Sequence, residues 1–285
     1  ILVDGGSNDE TLAVAKRYPV RIIEEKRRGI GSARRTGVLS ARGTYVAFID
    51  SDCRAPKNWL GSLLSVMKNT NRSKVGGVGG SAIPEDDSLV SRCLMYRFFV
   101  ERTGDLKEVD SIATFNAIYL KDVITKVGNF NPELEVGEDL DLGYRVRRLG
   151  FKLLYAPQVY VYHSHPVRLM ELLRKWFHYG RWFGKVNMMN GYFLRKILPR
   201  VLYFLFLAIS IVTVWEGSFL FPTILFFLPS SVYLRTATRA FRETKSVRIL
   251  ISLPLIHNLK IQAHNLGIVC YFISTLSRHR VFSLI

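Results

Sequence analysis

The apolar run Tyr45-Val46-Ala47-Phe48-Ile49 stops at Asp50-Ser51-Asp52, so a short strand ends on two carboxylates one residue apart. A β-branched and aromatic run of this length suits a buried strand of a parallel sheet. Asp is disfavoured inside strands, which puts Asp50 and Asp52 at the strand's carboxyl end, where open α/β sheets hold their ligands. Two hard oxygen ligands on an exposed turn can hold a divalent cation, and the cation can hold a diphosphate. The same triplet also fits an ordinary polar turn that caps the next helix.

The flanking chain alternates strand and helix signals. Ile1-Leu2-Val3 reads as a strand ending at Asp4, and Asp9 as a cap for a helix over 10–17. Val20-Arg21-Ile22-Ile23 is a second strand, and the basic loop Lys26-Arg27-Arg28-Gly29 opens a helix through Ala41. This order implies parallel βαβ units. Further on, helices are expected over 59–67, 88–102, from 121, over 138–149 with Gly150 as the C-cap, and amphipathically over 166–189. Strands are expected over 75–80, 114–119, 152–154 and 159–162. The glycines of Val75-Gly76-Gly77-Val78-Gly79-Gly80 imply close approach of something to the backbone. The chain begins at Ile1 inside a strand, with neither an initiator Met nor a signal peptide, so a further strand and its loop are expected ahead of it.

Composition changes near residue 197. The 285 residues carry a formal net charge of +17, of which the tail after 197 holds +7 from nine Lys/Arg and two Glu. Because both parts are basic, the charge is no single nucleic-acid-binding arm, and no aromatic-basic platform marks a nucleic-acid partner. Three scattered cysteines, Cys53, Cys93 and Cys270, make neither a disulfide framework nor a zinc site. The segments 197–215 and 219–234 are long apolar runs joined by Glu216-Gly217-Ser218 and flanked by basic residues. They read as a transmembrane hairpin with both flanks cytoplasmic, or else as a buried helical hairpin. In 249–276, Leu255, Ile256, Leu259, Ala263, Leu266, Cys270 and Ile273 share one helical face opposite His257, Asn258, Lys260, His264 and Asn265. That pattern suits a helix lying in a membrane interface.

Five clusters resemble, in order, the motifs of family 2 glycosyltransferases. The segment Ile1 to Thr11 resembles V-D-D-G-S-x-D-x-T, with Gly5 in place of the second Asp. Gly31-Ser32-Ala33-Arg34-Arg35-Thr36-Gly37 resembles A-R-N-x-G, with Arg35 for Asn, and Asp50-Ser51-Asp52 stands where the metal-binding D-x-D stands. Val127-Gly128-Asn129-Phe130 with Gly137-Glu138-Asp139-Leu140-Asp141-Leu142 looks like the family's catalytic block, and Val161-Tyr162-His163-Ser164-His165-Pro166 like its strand-then-His ending. The resemblance covers residues 1 to about 190.

The resemblance implies an α/β, GT-A-like (Rossmann-like), mostly parallel sheet flanked by helices over 1–165. An amphipathic acceptor-side helix follows over 166–196, two transmembrane helices over 197–234, and a basic loop with an amphipathic or third membrane helix over 235–285. The implied activity is an inverting, metal-dependent transfer of a sugar from a nucleotide-sugar donor to a lipid-linked or glycan acceptor at the cytoplasmic face of the cell membrane. Asp4, Arg34, Asp50 and Asp52 would bind donor, and Asp52, Asp50 and His163 would hold Mg²⁺ or Mn²⁺. Asp139 would be the general base beside Glu138. A helix N-terminus lowers a carboxylate's pKa, so Asp139 is expected to stay ionised as a modest base, although Gly-Glu-Asp also fits plain helix capping. His178-Tyr179-Gly180-Arg181-Trp182 is similar to the Q-x-x-R-W acceptor motif of membrane polysaccharide synthases, with His for Gln. Arg181 and Trp182 would then bind acceptor, or Trp176, Phe177 and Trp182 are only the apolar side of an interfacial helix. A polyprenyl-phosphate acceptor and a catalytically silent nucleotide- or glycan-binding scaffold are the alternatives.

Overall fold

The computed structural model describes residues 1–282 apart from 26, 28, 71–73, 95–104, 165–167 and 216–218. The chain divides into two compact units, Ile1–Ala82 with Arg102–Tyr162 and Ile83–Glu101 with His163–Ile285. The expected helix over 88–102 and His165 lie partly or wholly outside the described residues.

In the first unit, β1 (Leu2–Asp4) and β2 (Ile22–Glu24) pair in parallel, with Asp4 opposite Glu24. They form a separate two-stranded sheet. α1 (Thr11–Ala15) opens where the Asp9 carboxylate accepts the Thr11 N–H at 3.0 Å, and α2 (Ile30–Ser40) leads on to β3 (Tyr45–Ile49). The remaining strands are β4 (Cys53–Arg54), β5 (Val75–Pro84), β6 (Lys107–Val109), β7 (Asn116–Leu120) and β8 (Lys152–His163). Together with β3 they make one six-stranded sheet in the order β3-β7-β5-β8-β4, with β6 on β8.

That sheet corrects the expectation of a mostly parallel one. β3 and β5 both run antiparallel to β7, and β6 runs antiparallel to β8. Apolar strands buried on both faces read the same in either direction, so the apolar runs could not set polarity. The sheet is mixed, within an α/β fold. α3 (Trp59–Asn69), α4 (Lys121–Lys126) and α5 (Glu138–Arg148) complete the unit. The period-2 alternation of β7 sends Tyr119 into a core with Phe130, Leu142 and Val146, and Ile118 into one with Leu63 and Met67. Helices therefore cover both faces.

The glycines of β5 make room for neighbours. A Cβ at Gly77 would stand 2.6 Å from the Tyr119 ring, and one at Gly80 would stand 2.1 Å from the Val159 carbonyl oxygen. The fully buried Asn116 amide ties this region together. It donates to Ser81 O at 2.8 Å and Val159 O at 3.1 Å, and accepts from Trp59 Nε1 at 2.8 Å.

The second unit is helical. It holds α6 (Leu169–Met189), a π-helical turn (Phe193–Ile197), α7 (Leu198–Trp215), α8 (Leu220–Phe227), a 3₁₀ segment (Leu228–Tyr233), α9 (Leu234–Thr244) and α10 (Val247–Phe282). α6 and α10 touch backbone to backbone. A Cβ at Gly180 would lie 1.9 Å from the His264 carbonyl oxygen, and one at Gly267 would lie 2.1 Å from that of Phe177. Leu172, Ala237, Ala240, Ile249 and Leu253 form part of the core.

Two expectations for the tail are overturned. Among the described residues no helix is long and apolar enough to cross a membrane. The expected transmembrane hairpin is therefore not supported, and neither is localisation by it to the cell membrane. The second apolar run does not form one helix. It breaks after Phe227 into a 3₁₀ segment with Pro229 at its start. The expected helix over 249–276 lies within α10; of its apolar face Leu255, Leu266 and Ile273 are exposed and Ile256 is buried, whereas His257, Asn258 and Lys260 opposite are buried.

Candidate active site

The β3 strand delivers Asp50 and Asp52 to a turn closed by the Cys53 N–H donating to Asp50 O at 3.0 Å. Asp52 is exposed and the Asp50 side chain partly so. Cys53 opens β4, next to β8 in the sheet. The Arg54 guanidinium lies 4.3 Å over the ring of Tyr162, the residue before His163 at the end of β8. The Cys53 thiol is pushed up to about 12 by burial and then by the Asp52 and Asp50 carboxylates, so the turn carries a negative field.

α2 brings the cation to that turn. Its first turn docks tightly on 131–134, where a Cβ at Gly31 would stand 2.3 Å from Asn131 O. Gly31 N–H donates to Leu134 O at 3.1 Å. One turn on, Arg34 donates to Asp50 Oδ1 at 2.6 Å through Nη2 and to Glu138 Oε1 through Nη1. Glu138 is 3% exposed and Arg34 14%, so this is a largely dry ion triad. Glu138 starts α5 directly after Gly137, whose φ of +81° is the left-handed conformation that glycine adopts without strain.

The neighbouring residues lock that placement. Arg35 donates to Gly128 O at 2.8 Å, and Asn129 Nδ2 donates back to Arg35 O at 3.3 Å. Arg145 pairs with Asp141 at 2.6 Å and donates to Val127 O at 2.5 Å and Asn129 O at 2.7 Å. The two motif segments, far apart in sequence, are thus stapled to one another by charged side chains.

Asp139 sits beside this triad, half-buried, with Oδ1 accepting the Leu140 N–H at 2.7 Å. Burial raises its carboxyl above the ordinary range, against the opposing pull of the Arg34 guanidinium and the Leu140 N–H. This corrects the expected lowering, since desolvation outweighs the helix terminus. The Tyr119 phenol, fully buried and without a hydrogen-bond partner among the described residues, is raised as well, by burial and then by Asp139.

Of the residues picked from sequence, Arg34, Asp50 and Glu138 are in direct contact, and Asp139 feels both Arg34 and Asp50. Asp52 stands two residues from Asp50 on the same turn. The Asp4 carboxylate is engaged by its own loop. It accepts Gly6 N–H at 3.0 Å, Ser7 N–H at 3.1 Å and Ser7 Oγ–H at 2.5 Å, and the Ser7 hydroxyl chiefly lowers its pKa. In the second unit Arg181 is exposed, and Trp182 Nε1 donates to His178 Nε2 at 3.1 Å beneath the Lys185 ammonium. Sequence reasoning missed Arg145 and Tyr119. The i,i+4 spacing of Asp141 and Arg145 was the available signal for the first; nothing local marked the second.

Comparison with known proteins bears on the same stretch. Residues 1–128, which hold Asp4, Arg34, Asp50 and Asp52, match the Glycosyl transferase family 2 model. Glycosyltransferase AglE of Haloferax volcanii is 28% identical over 219 residues, which cover 72% of this chain and 69% of that protein. The O-antigen chain rhamnosyltransferase WbaN of Salmonella anatum is 25% identical over 194 residues, covering 63% and 61%. The mannosyltransferase PcManGT from Pyrobaculum calidifontis, solved with GDP-Man and Mn²⁺, is 18% identical with a TM-score of 0.55 over 90% of this chain and 76% of that one, a likeness of fold. Residues 1–128 thus resemble glycosyl transferase family 2, and this match, these relatives and the α/β fold mark the chain as a glycosyltransferase.

Proposed function

We propose that this glycosyltransferase moves a sugar with inversion from a nucleotide-sugar donor to a hydroxyl of a lipid-linked or glycan acceptor. The observation that carries the reading is the Arg34 bridge, which joins the Asp50 turn to the Glu138-Asp139 helix start. In this reading Asp139 takes the proton from the acceptor hydroxyl. The freed oxygen bonds to the anomeric carbon as the bond from that carbon to the diphosphate breaks, and the nucleoside diphosphate leaves with the electron pair. A single base and no enzyme nucleophile give one displacement, hence inversion. The raised pKa of Asp139 makes it a stronger base than an ordinary carboxylate.

Asp52, Asp50 and His163 would hold Mg²⁺ or Mn²⁺, as two carboxylates and an imidazole suit either ion, and Mn²⁺ the better for the imidazole. The PcManGT complex with Mn²⁺ supports that choice. When bound, the ion supplies charge neutralisation for the diphosphate. Arg34 uses one N–H of each terminal nitrogen on carboxylates, which leaves donors for a diphosphate oxygen. Asp4 holds the loop at the end of β1 in shape for the base or ribose, and Arg181 and Trp182 are the acceptor contacts.

The test is transfer and hydrolysis with a panel of nucleotide sugars, with Mn²⁺ or with EDTA, the product's anomeric configuration being read by NMR. Retention at the anomeric carbon, or full rate in EDTA, overturns the mechanism.

A further inference from the structure

Packing accounts for the ring of Tyr119 but not for its hydroxyl. The ring fills the space beside Gly77 and lies edge-on to Phe48 at 6.1 Å, in a core with Phe130, Leu142 and Val146. A phenylalanine would fill the same space. The hydroxyl is fully buried, and among the described residues it has no hydrogen-bond partner. An unpaired buried hydroxyl opposes folding. Asn116, on the same strand, shows the contrast, because its amide donates to Ser81 O and Val159 O and accepts from Trp59 Nε1.

The surroundings of that hydroxyl point to its use. Leu142 and Val146, which share its core, stand three and seven residues after Asp139 on α5, and at this helical spacing all three lie on one face. α5 therefore turns toward the Tyr119 core the face that begins with Asp139. The charged groups that act on the phenol are the Asp139 carboxylate and the Arg34 guanidinium, and Arg34 is itself paired with Asp50 and Glu138. Asp139 has Oδ1 on the Leu140 N–H at 2.7 Å, the one hydrogen bond of its carboxylate among the described residues. Its other oxygen can take a second donor.

We propose that Tyr119 is a positioning residue of the transfer reaction, whose hydroxyl donates to Asp139 Oδ2 once a nucleotide sugar is bound and holds that carboxylate toward the acceptor hydroxyl. The inference rests on the reading of Asp139 as the base. A bound diphosphate competes with Asp50 and Glu138 for the Arg34 guanidinium, and as that cation turns to the phosphate its hold on Asp139 weakens. The phenol O–H replaces part of that hold, since a hydrogen bond to the charged form keeps a carboxylate deprotonated. In the free protein the hydroxyl stands unpaired, a folding cost that the bound state removes.

The experiment compares the full chain as wild type, Tyr119→Phe and Asp139→Asn on the nucleotide sugar of the panel above that the wild type turns over fastest, with a thermal melt of each. Tyr119→Phe should melt no lower than the wild type, because it loses only an unpaired oxygen. Its kcat should fall about tenfold, as when a hydrogen bond to a charged group is lost, with KM for the nucleotide sugar unchanged. The acid limb of kcat, which reports the enzyme with substrate bound, should move to higher pH, since Asp139 without that donor protonates more readily. An acid limb that stays with the wild type's overturns the inference whatever the rate. A lower melting temperature overturns it too, because the hydroxyl would then be paired in the free protein. An inactive Asp139→Asn beside a fully active Tyr119→Phe removes Tyr119 alone. Asp139→Asn at the wild-type rate, or a wild type that turns over no panel sugar, overturns the reading of the base and this inference with it.

Discussion

Arg34 donates to Asp50 at 2.6 Å and, through its other terminal nitrogen, to Glu138, so one guanidinium joins a strand end to a helix start 88 residues further along the chain. Removing the triad's cation leaves the buried Glu138 carboxylate and the partly exposed Asp50 carboxylate without their shared partner. Arg34→Ala should destabilise the first unit by about 3 kcal/mol, measured by urea denaturation. Arg34→Lys should recover only part of that, because an ammonium cannot span both carboxylates in one plane.

Asp139→Asn keeps the shape of the helix start and removes the proton acceptor. Sugar transfer should fall about 10²–10⁴-fold in kcat/KM, with nucleotide affinity by calorimetry unchanged. A variant that transfers at the wild-type rate would remove Asp139 from the chemistry.

The pH profile follows from the sign of the Asp139 shift. A base works deprotonated, and burial raises this carboxyl above the ordinary aspartate value. The acid limb of kcat/KM should therefore rise with unit slope through a midpoint above that ordinary value. Profiles of wild type and Asp139→Asn check this, the limb vanishing in the variant.

Asp52 is the most exposed member of the proposed ligand set. Asp52→Asn should raise the Mn²⁺ concentration for half-maximal transfer about tenfold or more, with no loss of folding stability, since an exposed side chain contributes little to it. The Mn²⁺ titration and a thermal melt separate the two effects.

In the helical unit, Gly180→Ala places a methyl 1.9 Å from the His264 carbonyl oxygen. The helices must separate, at a cost of about 1–3 kcal/mol, visible as a lower thermal midpoint. A midpoint equal to the wild type's would mean that the two backbones are not in contact.

β1, β2, β3, β5 and β7 were legible as short apolar runs, whereas β4 (Cys53–Arg54) and β6 (Lys107–Val109) carry no such run, and the strands expected over 152–154 and 159–162 are one strand, β8. β3 was read to the residue, and the glycines of β5 announced close contacts, though not that Tyr119 would make one of them. Strand direction was not legible, since Val46 and Ile118 are equally apolar whichever way their strands run. At the site, residue type and order picked out Arg34, Asp50, Glu138 and Asp139, but only the fold could show one guanidinium shared between two carboxylates. On α10 the sequence showed an amphipathic helix but not which side is buried: His257 and Lys260 are buried while Leu255 is exposed. Hydropathy ranks side chains by their average environment, and buried polar residues are the exception it cannot rank.

The glycine-rich strand β5 couples the evolution of its neighbours. Space beside Gly77 is filled by Tyr119, that beside Gly79 by Ile112, and that beside Gly80 by Asn116 and Val159 O. A side chain added at Gly77 or Gly79 must coincide with one that removes volume at Tyr119 or Ile112, so viable changes there come as pairs, whereas one at Gly80 meets backbone. Double-mutant cycles between Gly77 and Tyr119 should be strongly non-additive, and Tyr119 lies next to the electrostatics of Asp139. A strand with four glycines among its ten residues thereby restricts how the candidate site can drift.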